Sequence, residues 1–280
     1  MEAGMKRRQF LAGAAAMAAL GSARAARRDP SALVLGGGGC RGYGHLGVLR
    51  VLEREGLRPD LIVGSSAGSL IGVLYAAGLS TERIATLGEG LTPNVLRDWI
   101  FPNLGIFSGS GIARFVRKQI GVRPIESLPM RFAAVATDLR TGERVMLERG
   151  DAGLAVQASS SAPGLLEPVV MEGRLLVDGN IVAPVPVSAA FGLGARRVVA
   201  VDVTFPPDEA NLSDPFDALY QGFSILTRKL ALEERNLADV MLAPAIPEHS
   251  NMSAKVIAEH VRAGERAAEN ALPRLRQLFA

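Results

Sequence analysis

Leu61-Ile-Val-Gly-Ser-Ser-Ala-Gly-Ser-Leu70 holds a strand, a sharp turn and the start of a helix in one short stretch. Leu61 to Val63 form the brief apolar run of a buried strand, and Leu70 to Ala77 are apolar and alanine-rich enough for a buried helix. Gly64-x-Ser66-x-Gly68 lies between them. In a nucleophile elbow, those two glycines leave room for a strained turn that lifts the Ser66 hydroxyl clear of the sheet. Ser66 then stands at a helix N-terminus, where unpaired amides and the helix dipole favour developing negative charge. A simple strand-to-helix turn with Ser66 as a cap is the alternative. The flanking strand and helix, and a glycine run upstream, favour the reactive hydroxyl.

That upstream run follows a first buried strand, Ala32-Leu-Val-Leu35, and reads Gly36-Gly-Gly-Gly-Cys-Arg-Gly42. Consecutive glycines let backbone amides approach a ligand closely. A helical pattern continues from Tyr43 to Glu55 and Gly56 ends it. Two successive β-to-α turns therefore lie side by side at the carboxyl edge of a parallel sheet, the place where α/β folds bind ligands. Gly37, Gly39 and Gly42 also satisfy the dinucleotide fingerprint. That fold wants an acid at the end of the second strand, where this chain has Gly64, with Asp60 before the strand. The loop reads better as an oxyanion hole, with amides near Gly38 and Gly39 aimed at the oxygen that turns negative when Ser66 attacks an ester.

The chain has 280 residues, 48% hydrophobic and 21% charged, ordinary for one α/β domain. Its N-terminus, Met5-Lys-Arg-Arg-Gln-Phe-Leu followed by an alanine-rich run and Ala23-Arg24-Ala25, has the three regions of a signal peptide, with Arg7-Arg8 of twin-arginine type. The apolar stretch from Phe10 to Ser22 is shorter than the roughly 20 residues a membrane span needs. Residues 1–25 are thus expected to be a cleaved export signal and 26–280 a single domain, periplasmic or secreted. Lys6, Arg7, Arg8 and Arg24 against Glu2 give +3, all of the formal net charge. A near-neutral mature chain offers no argument for nucleic acid. Cys40 is the only cysteine, so neither an intrachain disulfide nor a cysteine metal site can form, and no cofactor is implied.

Further along, Trp99, Ile100, Phe101, Ile106 and Phe107 cluster in a turn-rich segment that reads equally as core or as an apolar lip touching lipid. Ile112 to Ile120 read as a short basic helix with Arg114, Arg117 and Lys118 solvated. Phe132 to Asp138 read as a buried strand with Arg144 to Leu147 as its hairpin partner, and Leu175 to Val177 as an apolar run ending in the turn Asp178-Gly-Asn180. Asp138 and Asp178 are thus two acids at strand ends. Helices are expected over 152–161, 185–191, 214–237 and 254–278, with strands over 197–203 and 239–242.

Taken together, Gly37-Gly-Gly-Cys-Arg-Gly42 with His45 and Gly47, Gly64-Ser-Ser-Ala-Gly68, Ala136-Thr-Asp-Leu139, Ser160-Ser-Ala-Pro-Gly164 and Asp178-Gly-Asn180 resemble the bacterial patatin-like phospholipases, serine lipid acyl hydrolases. The resemblance runs from about Ala32 to the C-terminal helix. It implies a three-layer α/β fold, a mostly parallel central sheet with helices on both faces. It also implies Ser66 as nucleophile, Asp178 as its base in a two-residue dyad, and the glycine loop, Gly37, Gly38, Gly39, Arg41 and Gly42, as oxyanion hole. Asn180 departs from the Gly or Ala common in the family, although Asn tolerates a left-handed backbone fairly well.

Three histidines could complete a conventional triad instead. His45, just past the glycine loop, reads as packing or hydrogen-bonding support. His249 and His260 sit in surroundings that look solvated, and Cys40 reads as a small buried residue. Arg41 either holds the loop or meets a substrate phosphate. The expected function is cleavage of fatty-acyl esters of a lipid or lysolipid through an acyl-enzyme, with transient contact at a membrane surface. A non-catalytic nucleotide- or lipid-binding protein using the same loop is the alternative. The oligomeric state is not legible.

Overall fold

The first strand pairs with the second in parallel register, Ala32↔Leu61 through Leu35↔Gly64, which sets the two turns side by side. The computed structural model describes residues 29–89, 104–206, 212–247 and 253–279. The expected export signal, Trp99 with its neighbours up to Asn103, and His249 lie outside the described residues.

Ten strands are described: β1 Ser31–Leu35, β2 Leu61–Ser65, β3 Gly105–Phe107, β4 Arg131–Asp138, β5 Arg144–Leu147, β6 Gly164–Leu166, β7 Val169–Met171, β8 Arg174–Asp178, β9 Arg197–Val201 and β10 Val240–Leu242. The helices among the described residues are α1 Tyr43–Arg54, α2 Ala67–Ala76, α3 Thr81–Glu89, α4 Ser110–Ile120, α5 Ala152–Ser159, α6 Val187–Gly192, α7 Pro215–Arg235, α8 Ala254–Asn270 and α9 Leu272–Phe279.

The main sheet runs β10-β9-β1-β2-β4-β8-β7, with β5 also paired to β4. The pairings from β10 to β4 are parallel, and those of β4 with β5 and β8, and of β8 with β7, are antiparallel. Alternation along each strand divides the core into two layers. Leu33, Leu35, Ile62, Val199 and Val201 face one layer, with residues of α1, α2 and α8. Ala32, Val34, Val63, Val198 and Ala200 face the other, with Val187, Ala189 and Ala190 of α6 and Ala231 of α7. The fold is therefore the expected α/β sandwich of three layers.

Differences from the sequence reading have local causes. The long C-terminal helix breaks at Ala271, two residues before Pro273, which has no N–H to donate to the carbonyl four residues back and whose ring crowds it. The hairpin β7–β8 turns on Glu172 (φ 49°) and Gly173 (φ 77°), a two-residue turn with both backbones left-handed. Strands β3 and β6, three residues each, form a separate two-stranded sheet.

The last large helix closes the first β-to-α unit. α8 crosses α1 so tightly that a Cβ on Gly264 would lie 1.9 Å from the Gly44 carbonyl oxygen, and one on Gly47 would lie 1.9 Å from that of Val261. Among the described residues no helix is long and apolar enough to cross a membrane.

Candidate active site

Ser66 follows directly on β2 and precedes α2, with φ 50° and ψ −121°. It and Glu172 are the non-glycine residues with positive φ among those described. Such a backbone costs on the order of 1–3 kcal/mol and persists only where the surroundings fix it. Here they do. A Cβ on Gly68 would lie 2.0 Å from the Leu35 carbonyl oxygen, and one on Gly64 would lie 2.5 Å from Ser69 Cα. The Ser66 amide donates to Ser159 Oγ at 3.0 Å, and that hydroxyl donates to the Val135 carbonyl at 2.6 Å.

The Ser66 hydroxyl donates to Asp178 Oδ2 at 2.8 Å. Asp178 ends β8, and its backbone is held on both sides. Its amide donates to the Ser161 carbonyl at 2.9 Å, and its own carbonyl accepts from Thr137 Oγ1 at 2.8 Å. The other carboxylate oxygen accepts the Asn180 amide at 2.9 Å. Burial pushes the Asp178 carboxyl up to about 6, against the opposing pull of the Asn180 amide and the Ser66 hydroxyl.

In the glycine loop the amides separate by role. Gly36 and Gly37 donate to the carbonyls of Val201 and Pro184, at 3.0 and 2.8 Å, and the Arg41 amide donates back to Gly38 at 3.0 Å. The amides of Gly38 and Gly39 take no hydrogen-bond partner among the described residues. Gly42 packs against α2, where a Cβ would lie 2.8 Å from that of Ala67. Of the five loop residues expected to form an oxyanion hole, Gly38 and Gly39 are thus the ones whose amides stay unengaged among the described residues. Gly37 and Arg41 have amides engaged elsewhere, and Gly42 is a spacer. Arg41 donates its side chain to the carbonyls of Val203 and Ile246, at 3.2 and 3.1 Å, and lies over the Phe205 ring, so it braces the loop from behind.

Ser66, Asp178 and the loop open onto a cleft of about 380 Å³, with Leu70, Ile112, Leu165, Leu166, Phe205 and Phe223 along its walls. Among the described residues no group of three His, Cys, Asp or Glu side chains is placed to hold a metal ion. Asp60, the acid nearest to a dinucleotide site in sequence, instead accepts from the amide and hydroxyl of Ser31, both at 2.8 Å, at the opposite end of β1.

A family model described as patatin-like phospholipase matches residues 33–191, which include the loop, the elbow and Asp178. The chain belongs to the patatin-like phospholipase family. It is 38% identical over 175 residues to an uncharacterized NTE family protein of Mycobacterium tuberculosis, covering 61% of this chain and 48% of that protein. It is also 38% identical over 179 residues to Lysophospholipase NTE1 of Mycosarcoma maydis, 61% of this chain and 9% of that protein. The chain thus spans about half, or less, of the length of these curated relatives. Among solved structures, VipD from Legionella pneumophila superposes with a TM-score of 0.56 at 14% identity, covering 89% of this chain and 67% of that one, a likeness of fold.

In this patatin-like phospholipase fold the described histidines stand behind the loop. His45 is buried with Nε2 at 2.7 Å from the Gly36 carbonyl, and burial lowers its pKa to about 4, so it is neutral at pH 7 and supports the loop. His260 is buried, contrary to the solvated setting expected, because its face of α8 packs onto α1; its Nδ1 lies 3.3 Å from the Cys40 carbonyl. Cys40 is exposed rather than buried, at the outer bend of the loop. Asp138 accepts the Arg140 amide at 2.9 Å and caps the turn to β5. Asn180 lies in a short 3-10 turn without left-handed backbone, so its departure from Gly or Ala costs no strain. Sequence reasoning missed Ser159 and Thr137, since a hydroxyl inside an apolar element has no local pattern to mark it. The Ser160-Ser161 motif beside Ser159 was the available signal.

Proposed function

We propose that the chain is a serine carboxylic-ester hydrolase acting on fatty-acyl esters of lipids, with Ser66 as nucleophile and Asp178 as base. The observation that carries this is the 2.8 Å contact of the Ser66 hydroxyl with a buried carboxylate, on a strained elbow facing an apolar cleft. Asp178 takes the proton as Ser66 Oγ adds to the acyl carbonyl. The carbonyl oxygen, now negative, meets the amides of Gly38 and Gly39 and the N-terminus of α2. Collapse expels the alcohol, which takes the proton back from Asp178, and leaves the acyl group on Ser66. Water then repeats the sequence, giving up its proton to Asp178, and releases the fatty acid. A carboxyl lifted to about 6 is a better base than an ordinary aspartate and still ionised at pH 7.

Apolar cleft walls suit an acyl chain, and the relative named Lysophospholipase NTE1 supports a lysolipid or phospholipid as substrate. The twin-arginine-type segment at Arg7-Arg8 supports export, with cleavage near Ala25; N-terminal sequencing of the periplasmic protein tests that, and an intact Met1 in the membrane fraction would contradict it. A fluorophosphonate probe and a panel of lipid esters followed by mass spectrometry test the activity. Labelling of wild type but not of Ser66→Ala, with fatty acid released only by wild type, is expected; no labelling and no release would leave a binding protein.

A further inference from the structure

The side chain of Asn180 takes no part in the hydrogen bond between Ser66 and Asp178. Asn180 lines the same cleft as Ser66 and Asp178, yet its backbone amide alone enters the dyad, through Asp178 Oδ1. The side chain is oriented from behind. Ser65 Oγ, buried beside the nucleophile, donates to Asn180 Oδ1 at 3.2 Å. The carboxamide then lies flat against Gly37: a Cβ on that glycine would come within 1.8 Å of Oδ1 and 2.4 Å of Nδ2. With Oδ1 held by Ser65, the donor end Nδ2 has no hydrogen-bond partner among the described residues and is not sealed from solvent. It lies against the residue whose peptide carries the free amide of Gly38.

We infer that Asn180 Nδ2 is a third donor to the oxyanion, beside the amides of Gly38 and Gly39, and that Ser65 is the positioning residue that turns it there. This rests on the serine-esterase reading above and adds a catalytic side chain to it. The chemistry is electrostatic: as Ser66 Oγ bonds to the acyl carbon, charge collects on the carbonyl oxygen, and a fixed N–H dipole there stabilises the transition state more than the neutral ester. No proton is exchanged with Asn180. The dense contact of the carboxamide with Gly37 also explains why a side chain is excluded at that glycine although its amide faces Pro184.

Steady-state kinetics on a soluble short-chain ester test it, paired with the rate of fluorophosphonate labelling, whose phosphoryl oxygen occupies the same hole. Single oxyanion donors elsewhere contribute about 10²–10³ in kcat, and with two amides remaining Asn180→Ala is expected to lower kcat by about 10- to 100-fold. KM should stay near its wild-type value, and labelling should slow by a similar factor. Asn180→Asp, nearly the same shape but without the donor and with a second carboxylate near Asp178, should be slower still and move the acid limb of the pH profile upward. Ser65→Ala should give an intermediate loss that does not add to that of Asn180→Ala. Asn180→Ala with wild-type kcat and labelling, or with only KM and melting temperature changed, overturns the inference. Failure of the underlying reading looks different: wild type would then not be labelled, or Ser66→Ala would remain active.

Discussion

At the scale of single residues, Asp178 is the base of the proposed mechanism and carries a cost in stability. Asp178→Asn should lower kcat/KM by several orders of magnitude, as loss of a member of a catalytic unit does. Wild-type kcat/KM should fall on the acid side with a limb near pH 6, where the base becomes protonated. The stability sign runs the other way. The folded carboxyl is raised from the usual 3.8 to about 6, so between those values the native state keeps a proton that the unfolded chain has lost. Stability therefore declines as pH rises through that window, with a ceiling of about 3 kcal/mol above it. Asp178→Asn should melt higher than wild type at pH 8, and the gap should close towards pH 4; a variant melting lower at pH 8 would mean that the bonds to Ser66 and Asn180 outweigh the burial. The elbow was legible in sequence because its glycine spacing is a local pattern, whereas an apolar run ending in an acid describes Asp138 as well as Asp178, and the family resemblance pointed to Asp178. His260 was not legible, since Glu259 and Arg262 beside it look solvated while its own face of α8 meets α1.

Among elements, the β7–β8 hairpin was missed because Met171-Glu-Gly-Arg174 has glutamate where such turns usually carry Asn, Asp or Gly. Glu172→Asn should stabilise the protein by about 0.5–1 kcal/mol, read by denaturant midpoint, with unchanged turnover. Strands β3 and β6 escaped notice for another reason: three residues each, pairing far apart in sequence, leave no period to read. Their pairing sets Ile106 beside Leu165, both exposed, and Leu165 also reaches the cleft. With Leu104 they form an apolar edge suited to a lipid surface. Ile106→Ser should weaken binding to phospholipid vesicles while hydrolysis of a soluble ester stays near wild type. Equal loss of both would assign Ile106 to folding.

Across the whole molecule, the layered sheet followed from strands and helices that alternate along the chain, whereas the crossing of α8 on α1 depends on a contact between distant segments. Gly264→Val should force those helices apart, because its Cβ would strike the Gly44 carbonyl, and is expected to cost at least about 1–3 kcal/mol. Fluorophosphonate labelling should decline in step with the melting temperature; full labelling of a strongly destabilised variant would uncouple the crossing from the glycine loop. That crossing also fixes a moment in the life of each molecule. His260 and the Cys40 carbonyl it meets are 220 positions apart, so at about 5–20 residues per second the ribosome delivers the loop tens of seconds before its brace. During translation the nascent chain therefore already carries Ser66 and Asp178 while it still lacks the helix that packs behind the glycine loop.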